Sequence, residues 1–204
     1  KVIYTLVEAF ILVFIVVFLF LQDLRSTLIP AIAVPVAIVG TFFFLNIFGF
    51  SINLLTLFAL VLAIGIVVDD AIVVVEAVHA KLDEGERSPR KATLSAMSEI
   101  TGAIVSITLV MAAVFIPVSF LQGPSGVFYQ QFAITLAVAI LISAVNALTL
   151  SPALCALLLK PHEEGEHHKK NLKERFFTAF NAGFDSMNNK YTRSLGFLAR
   201  KKWI

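Results

Sequence analysis

The sequence predicts an all-α fold: a polytopic transmembrane bundle of five spanning helices, followed by an amphipathic helix lying in the cytoplasmic interface. Three observations carry this expectation. Of 204 residues, 58% are hydrophobic and only 15% charged, whereas a soluble domain carries about 25% charged residues. The charges are segregated, with none from Ser26 to Val68 and none from Ile100 to Leu159. Each of these runs far exceeds the ~20 apolar residues that cross a bilayer. Beyond Asn171 the pattern changes to an apolar stripe at helical spacing on an otherwise polar segment.

The five apolar segments run from about Val2 to Leu21, Thr27 to Leu45, Leu54 to Val78, Thr101 to Phe120 and Phe132 to Leu159. Continuous apolarity specifies helices, because barrel strands alternate over ~10 residues. A helix also satisfies its own backbone in hydrocarbon. Pro30 is expected in the first turn of the second helix, and Pro35, Pro117 and Pro152 at kinks. The connections orient the bundle: Gln22 to Ser26 has Arg25, Lys81 to Lys91 has four Lys or Arg and Lys160 to Lys202 has ten, whereas Asn46 to Asn53 and Leu121 to Gln131 have none. By the positive-inside rule the basic set is cytoplasmic, so the chain starts outside and ends inside.

Residues 1–160 are therefore expected to form the bundle, 161–170 a cytoplasmic loop, 171–199 the interfacial helix and 200–204 the first turn of a further spanning helix. Phe176, Phe180, Phe184, Met187, Tyr191 and Leu195 trace its apolar stripe, with Lys173, Arg175, Asn181, Asn188 and Lys190 elsewhere. A soluble amphipathic helix packing on a domain would carry the same stripe. Lys1 is not a start methionine and no signal-peptide pattern precedes it. The chain reads as a piece of something longer.

Several function classes are excluded. The single cysteine, Cys155, allows neither a disulfide framework nor a multi-cysteine zinc site. His162, His167 and His168 sit among Glu163, Glu164, Glu166, Lys169 and Lys170, which reads as a solvated loop and not a metal site. A GxxxxGK[ST] phosphate loop is absent, so this stretch does not hydrolyse ATP. With a net charge of +2 and no basic stripe among aromatics, it has no nucleic-acid footprint.

What stands out is Asp69-Asp70 in the third apolar segment. At the helical rise Asp69 lies roughly 22 Å from Leu54 and roughly 13 Å from Val78, well inside the bilayer. Each central Asp costs ~2.5 to 3.5 kcal/mol on an insertion scale, so the pair costs about 6. Desolvation and mutual repulsion oppose ionisation, and a cation from another helix would favour it. Alternation between the two states is a proton relay. The alternative is a static pair bonded to Ser, Thr or Asn of neighbouring helices.

Ala59, Ala63, Asp70 and Ala77 share one side of this helix, and Gly65 lies one turn before Asp69. Ala63, Gly65 and Ala77 are the residues expected to allow close packing around the acids. Glu8 is a further deep acid, a possible secondary relay position or a carboxyl simply hydrogen-bonded in the bundle. Glu76 can reach water near the helix end. Asn146, Thr135 and Ser143 read as interhelical hydrogen-bonding groups.

The stretch GIVVDDAIVVVE from Gly65 to Glu76 resembles the fourth transmembrane helix of resistance-nodulation-division exporters, in the hydrophobe/amphiphile multidrug branch. Supporting matches are FLQDLRSTLIP (Phe20 to Pro30), GFSIN (Gly49 to Asn53), VFIPVSF (Val114 to Phe120), YQQFAIT (Tyr129 to Thr135) and LTLSPALCALLLKP (Leu148 to Pro161). Ala77 departs from the Asn often found there. The resemblance implies helices two to six of a twelve-helix protomer, then the interfacial helix joining its halves. It implies a homotrimeric proton antiporter of the Gram-negative inner membrane, with protons as coupling ion and no other cofactor. Hydrophobic or amphiphilic compounds would bind in periplasmic domains outside this stretch and pass to a periplasmic adaptor and an outer-membrane channel. Asp69 and Asp70 would carry the proton, with Lys and Arg partners in the second half of the same protomer. The residues also fit a superfamily exporter of lipid or protein, or a non-transporting membrane scaffold or sensor.

Overall fold

A computed structural model describes residues 2–160, 180, 182, 184 and 186–194. Two units are distinguished, Lys1–His162 and Glu163–Ile204. The first consists of α1 (Val2–Leu21), α2 (Leu24–Ile47), α3 (Leu54–Asp83), α4 (Pro89–Val118), α5 (Pro124–Leu148) and α6 (Leu150–Leu158). The described residues are helical without strands, and five spans are long and apolar enough to cross a membrane, the fifth running through α5 and α6. In the second unit, 186–194 is helical and Met187 and Tyr191, one turn apart, are exposed. The expected loop 161–170, the parts of 171–199 that include Phe176 and Leu195, and residues 200–204 lie outside the described residues.

Local chemistry sets the helix ends. Asn53 caps α3: its Oδ1 accepts the Leu55 and Thr56 N–H groups at 2.9 and 3.0 Å, while Thr56 Oγ1 accepts the Asn53 N–H at 2.8 Å. This reciprocal box satisfies donors that hydrocarbon cannot. α2 and α3 stop alike. Gly49 (φ 71°) and Gly85 (φ 104°) take up the left-handed backbone. The Phe50 and Glu86 N–H groups then reach back to the Leu45 and Lys81 carbonyls at 2.9 and 3.3 Å. The turn before α5 is closer still: a Cβ on Gly126 would lie 2.4 Å from the Leu121 carbonyl oxygen, so only glycine fits.

Several boundaries differ from the sequence reading: α3 runs on to Asp83, five residues past Val78, and α5 starts at Pro124, eight residues before Phe132. α4 starts at Pro89, twelve residues before Thr101, because its first turns are amphipathic and not apolar: Ala92, Thr93 and Ala96 are buried while Arg90, Lys91 and Glu99 are exposed. α2 starts at Leu24, which puts Pro30 inside the helix and not in its first turn. The fifth span breaks at Thr149 (φ −125°, ψ −65°), three residues before Pro152. A proline ring clashes with the carbonyl four residues back, here that of Leu148, so the chain bends ahead of the proline.

α3 is the hub, packing on all five other helices of the unit, whereas α1 touches only α2 and α3. Side chains such as Leu109 (64% exposed) and Phe43 (61% exposed) would be an aggregation hazard in water. They suit lipid, and the chain is a multi-pass membrane protein.

Candidate functional site

Adjacent positions on a helix point about 100° apart, and α3 uses that angle to separate its two acids. Asp70 turns toward α5 and is half-buried, and the Ser143 hydroxyl donates to its Oδ2 at 2.5 Å. Asp69 is exposed, on a face it shares with Leu62, Gly65, Val73 and Glu76. The carboxyls therefore meet different surroundings. One is tied to a neighbouring helix, and the other is presented outward from an apolar span.

Small residues bring α5 up to Asp70. Ala63 is 2% exposed and packs on Leu136, Ala139 and Ile140 of α5. Ala77, one turn beyond Val74, packs against the cluster built on Val74, Val75 and Val78. Gly65 belongs to the other face: a Cβ there would meet nothing within 4 Å, so its small size is not used against α5. One turn along α5 from Ser143, the buried Asn146 donates through Nδ2 to the Ala33 carbonyl of α2, at a long 3.4 Å. Ser143 and Asn146 are thus interhelical, as expected. Thr135 is not, for its hydroxyl bonds the Gln131 carbonyl of its own helix at 2.7 Å.

Glu8 is exposed. The side of α1 that packs inward carries Leu6, Ala9, Phe10, Val13 and Val17, and Glu8 falls on the opposite side of the helical wheel. Glu8 is therefore not brought together with the aspartate pair within this bundle. Glu76 is also exposed. Cys155 is fully buried in the cluster with Val78 and Ala147, and no group of three or more His, Cys, Asp or Glu is placed to hold a metal ion among the described residues.

Sequence reasoning missed the polar contacts at the basic end of the bundle. Lys81 Nζ pairs with Glu99 of α4 at 2.7 Å and with Glu84 at 3.1 Å. Asp23 caps α2 by accepting the Ser26 and Arg25 N–H groups at 3.0 and 3.3 Å. The Ser26 hydroxyl lies 2.6 Å from Asp23 Oδ2 and 2.7 Å from His79 Nε2 on α3. Burial opposes ionisation of Asp23, but the Ser26 hydroxyl, the Ser26 and Arg25 N–H groups and the His79 ring together hold its carboxyl below the usual carboxylate range. The one available sequence signal was local: an Asp followed three residues later by Ser at the mouth of an apolar run marks a cap.

An all-helical bundle of five long apolar spans, with a carboxylate pair in the middle of its central span, defines the class as a multi-pass membrane protein by architecture. The sequence profile described as the AcrB/AcrD/AcrF family matches residues 1–204. The chain belongs to that family, within the resistance-nodulation-division multidrug efflux transporters. It is 53% identical over 196 residues to the multidrug export protein AcrF of Escherichia coli, covering 96% of this chain and 19% of the relative. It is 51% identical over 201 residues to the toluene efflux pump membrane transporter TtgB of Pseudomonas putida, covering 98% and 19%. To the multidrug resistance protein MdtF of Escherichia coli it is 50% identical over 196 residues, covering 96% and 18%. The chain thus spans about a fifth of the length of the curated relatives it matches.

Proposed function

We propose that this chain is the proton-handling part of an exporter that moves drugs and other hydrophobic or amphiphilic compounds out across the Gram-negative envelope, driven by proton entry. The observation that carries the reading is the division of labour in α3: Asp70 bonded to Ser143 and Asp69 exposed beside it in an apolar span. A carboxylate held by a single hydroxyl can accept a proton without unmaking the helix contact, since a carboxylic acid both donates and accepts. An exposed carboxylate at that depth needs a cation or a proton. The second half of the same protomer would supply the cation through Lys and Arg side chains facing Asp69. Glu8, on the outward side of α1, would join the relay through whatever part of the full-length protein covers α1.

In this reading residues 1–160 belong to the first half of the transmembrane region in an inner membrane. The chain starts on the periplasmic side, and residues 171–199 lie along the cytoplasmic face. The reading also includes a homotrimer, a periplasmic adaptor and an outer-membrane channel, with compounds bound in domains outside this stretch. Protons are its coupling ion, and transport without catalysis is its activity. The names of the relatives, which speak of multidrug export and toluene efflux, support the substrate class.

The test uses the full-length protein in proteoliposomes under an imposed pH gradient, with ethidium as the transported probe and a trapped pH dye. Asp69→Asn and Asp70→Asn should each abolish ethidium-coupled proton flux while leaving the assembly size unchanged, because Asn keeps shape and hydrogen bonding but cannot ionise. Undiminished flux in either variant would remove that residue from the relay.

A further inference from the structure

Side-chain hydrogen bonds join α3 to α5 at two levels among the described residues. In the middle of the bundle the Ser143 hydroxyl donates to Asp70 Oδ2. At the start of α3 the Asn53 Nδ2 donates to Gln131 Oε1. Residue numbers rise together from one contact to the other, so the two helices run in the same direction. Asn53 precedes Asp70 by roughly 25 Å along α3, and Gln131 precedes Ser143 by roughly 18 Å along α5. Helix side chains tilt toward the N-terminus, and the long Gln131 reaches back along α5 to take up part of the difference.

The helix cap fixes the direction of the Asn53–Gln131 bond. Asn53 Oδ1 is engaged by the Leu55 and Thr56 N–H groups at 2.9 and 3.0 Å, which leaves the Nδ2 side of the amide to face α5. An amide nitrogen only donates, so Gln131 presents its oxygen. Both residues are half-buried. Asn53 thus has two separable tasks, capping α3 with its oxygen and holding α5 with its nitrogen.

The packing between the two contacts sets closeness more than axial position. Ala59 and Ala63 of α3 and Ala133, Ala137 and Ala139 of α5 are buried, and Ala63 packs on Leu136, Ala139 and Ile140. Small side chains let helix backbones approach, but a smooth alanine surface discriminates poorly between neighbouring registers. A polar residue in a helix seam is what specifies register.

We propose that Asn53 and Gln131 form a register pin, a pair of positioning residues that fixes α5 axially against α3 and so sets the Ser143 hydroxyl on Asp70. The tolerance is narrow. An O–H···O contact spans a range of only about 0.5 Å, so a slide well short of one helical turn, about 5.4 Å, parts Ser143 from Asp70. The consequence for transport rests on the relay reading of Asp70; the positioning itself does not.

Infrared spectra of the full-length protein and its variants, each recorded with and without Asp70→Asn, isolate the Asp70 carboxyl band by subtraction. A donated hydroxyl lowers a carboxyl stretch, so Ser143→Ala marks the band of an Asp70 without its donor. Asn53→Ser keeps the cap, since Ser caps as well as Asn, but is too short to hold Gln131. Gln131→Leu removes the acceptor and leaves the cap untouched. An interhelical hydrogen bond of average strength is about a threefold factor in an equilibrium, so in both variants ethidium-coupled proton flux should fall about threefold and the Asp70 band should shift toward its position in Ser143→Ala. Gln131→Glu keeps an acceptor oxygen and should hold the band at its wild-type position. The pin is overturned by an Asp70 band that stays put in Asn53→Ser or Gln131→Leu, that moves as far in Gln131→Glu as in Gln131→Leu, or that ignores Ser143→Ala. If Gln131→Leu fails to assemble, Asn53→Ser and Gln131→Glu decide. The two proposals fail separately: undiminished flux in Asp70→Asn removes the relay, and the band positions still judge the pin.

Discussion

α1 and α3 are about equally apolar, with mean hydropathies of 2.7 and 2.6 in their most apolar stretches, and both carry acids, Glu8 in α1 and Asp69, Asp70, Glu76 and Asp83 in α3. Yet 50% of that stretch is buried in α3 and only 6% in α1. Hydropathy reports the gain from leaving water, and lipid supplies that as well as protein does. What draws helices together inside a membrane is close packing and polar contact. α3 has Ala59, Ala63, Ala71 and Ala77 along its buried side, and a polar bond to α5; α1 has Ala9 as its only alanine, among large Phe, Leu, Ile and Val side chains. The same difference separates their acids, because Asp70 receives a hydrogen bond from a neighbour and Glu8 faces away from the bundle.

The largest expected effect of this contrast is on transport by the full-length protein. Asp70→Asn should abolish ethidium-coupled proton flux, whereas Glu8→Gln should lower it only partially. Equal, complete losses would break the comparison and give α1 a relay carboxylate of the same rank.

Packing gives the next largest effect. Leu60 on α3 is 0% exposed and Leu12 on α1 is 64% exposed. Leu60→Ala opens a cavity, but lipid is as apolar as leucine and no loss of water exclusion accompanies it. The cost should therefore be near the low end of the soluble Leu→Ala range, about 2 kcal/mol. Leu12→Ala should stay within about 0.5 kcal/mol. Steric-trap or detergent unfolding of the two variants measures the difference. A costly Leu12→Ala would mean that protein, and not lipid, covers that side of α1.

Much of this contrast was legible in the sequence, and the part that was not has physical reasons. The five spans are visible because long charge-free runs have no other stable home. The aspartate pair stands out against such a run, and Ser143 and Asn146 are conspicuous on an apolar helix for the same reason. The start of α4 was hidden because Pro89 to Ile100 is helical by amphipathic spacing, with a proline at the first helical position, and not by apolarity. Likewise Pro152 announces a bend without saying that it falls at Thr149. The division between Asp70 and Asp69 required knowing which neighbour packs where, and Ser26–His79 joins residues 53 positions apart, beyond any local pattern.

A smaller effect should follow from removing the donor to Asp70. Hydrogen bonds between membrane helices contribute about 0.6 kcal/mol on average and up to about 1.7. Ser143→Ala should cost an amount in that range and reduce proton flux without abolishing it, since the carboxyl itself remains. Ser143→Thr should restore part of both, and no change in either measurement would reduce the contact to coincidence.

An effect of similar size concerns how α1 is held at all. Among the described helices α1 touches only α2 and α3, so its attachment to them depends on the corner capped by Asp23. Replacing a capping Asp by Ala costs about 1 kcal/mol, while Asn is nearly as good a cap as Asp. At neutral pH, Asp23→Ala should therefore destabilise the bundle by that amount and Asp23→Asn by only a few tenths. Acid reverses the ranking of Asp and Asn. The folded state holds the Asp23 carboxyl below the ordinary value, so its contribution is fully present above the unfolded value of about 3.9 and disappears as pH falls through the folded one. Stability of the wild type should drop below about pH 4 more steeply than that of Asp23→Asn, because the amide has no proton to take up. Parallel acid limbs in the two proteins would mean that the cap works by shape alone, and that the charge of Asp23 adds nothing to holding α1 on the bundle.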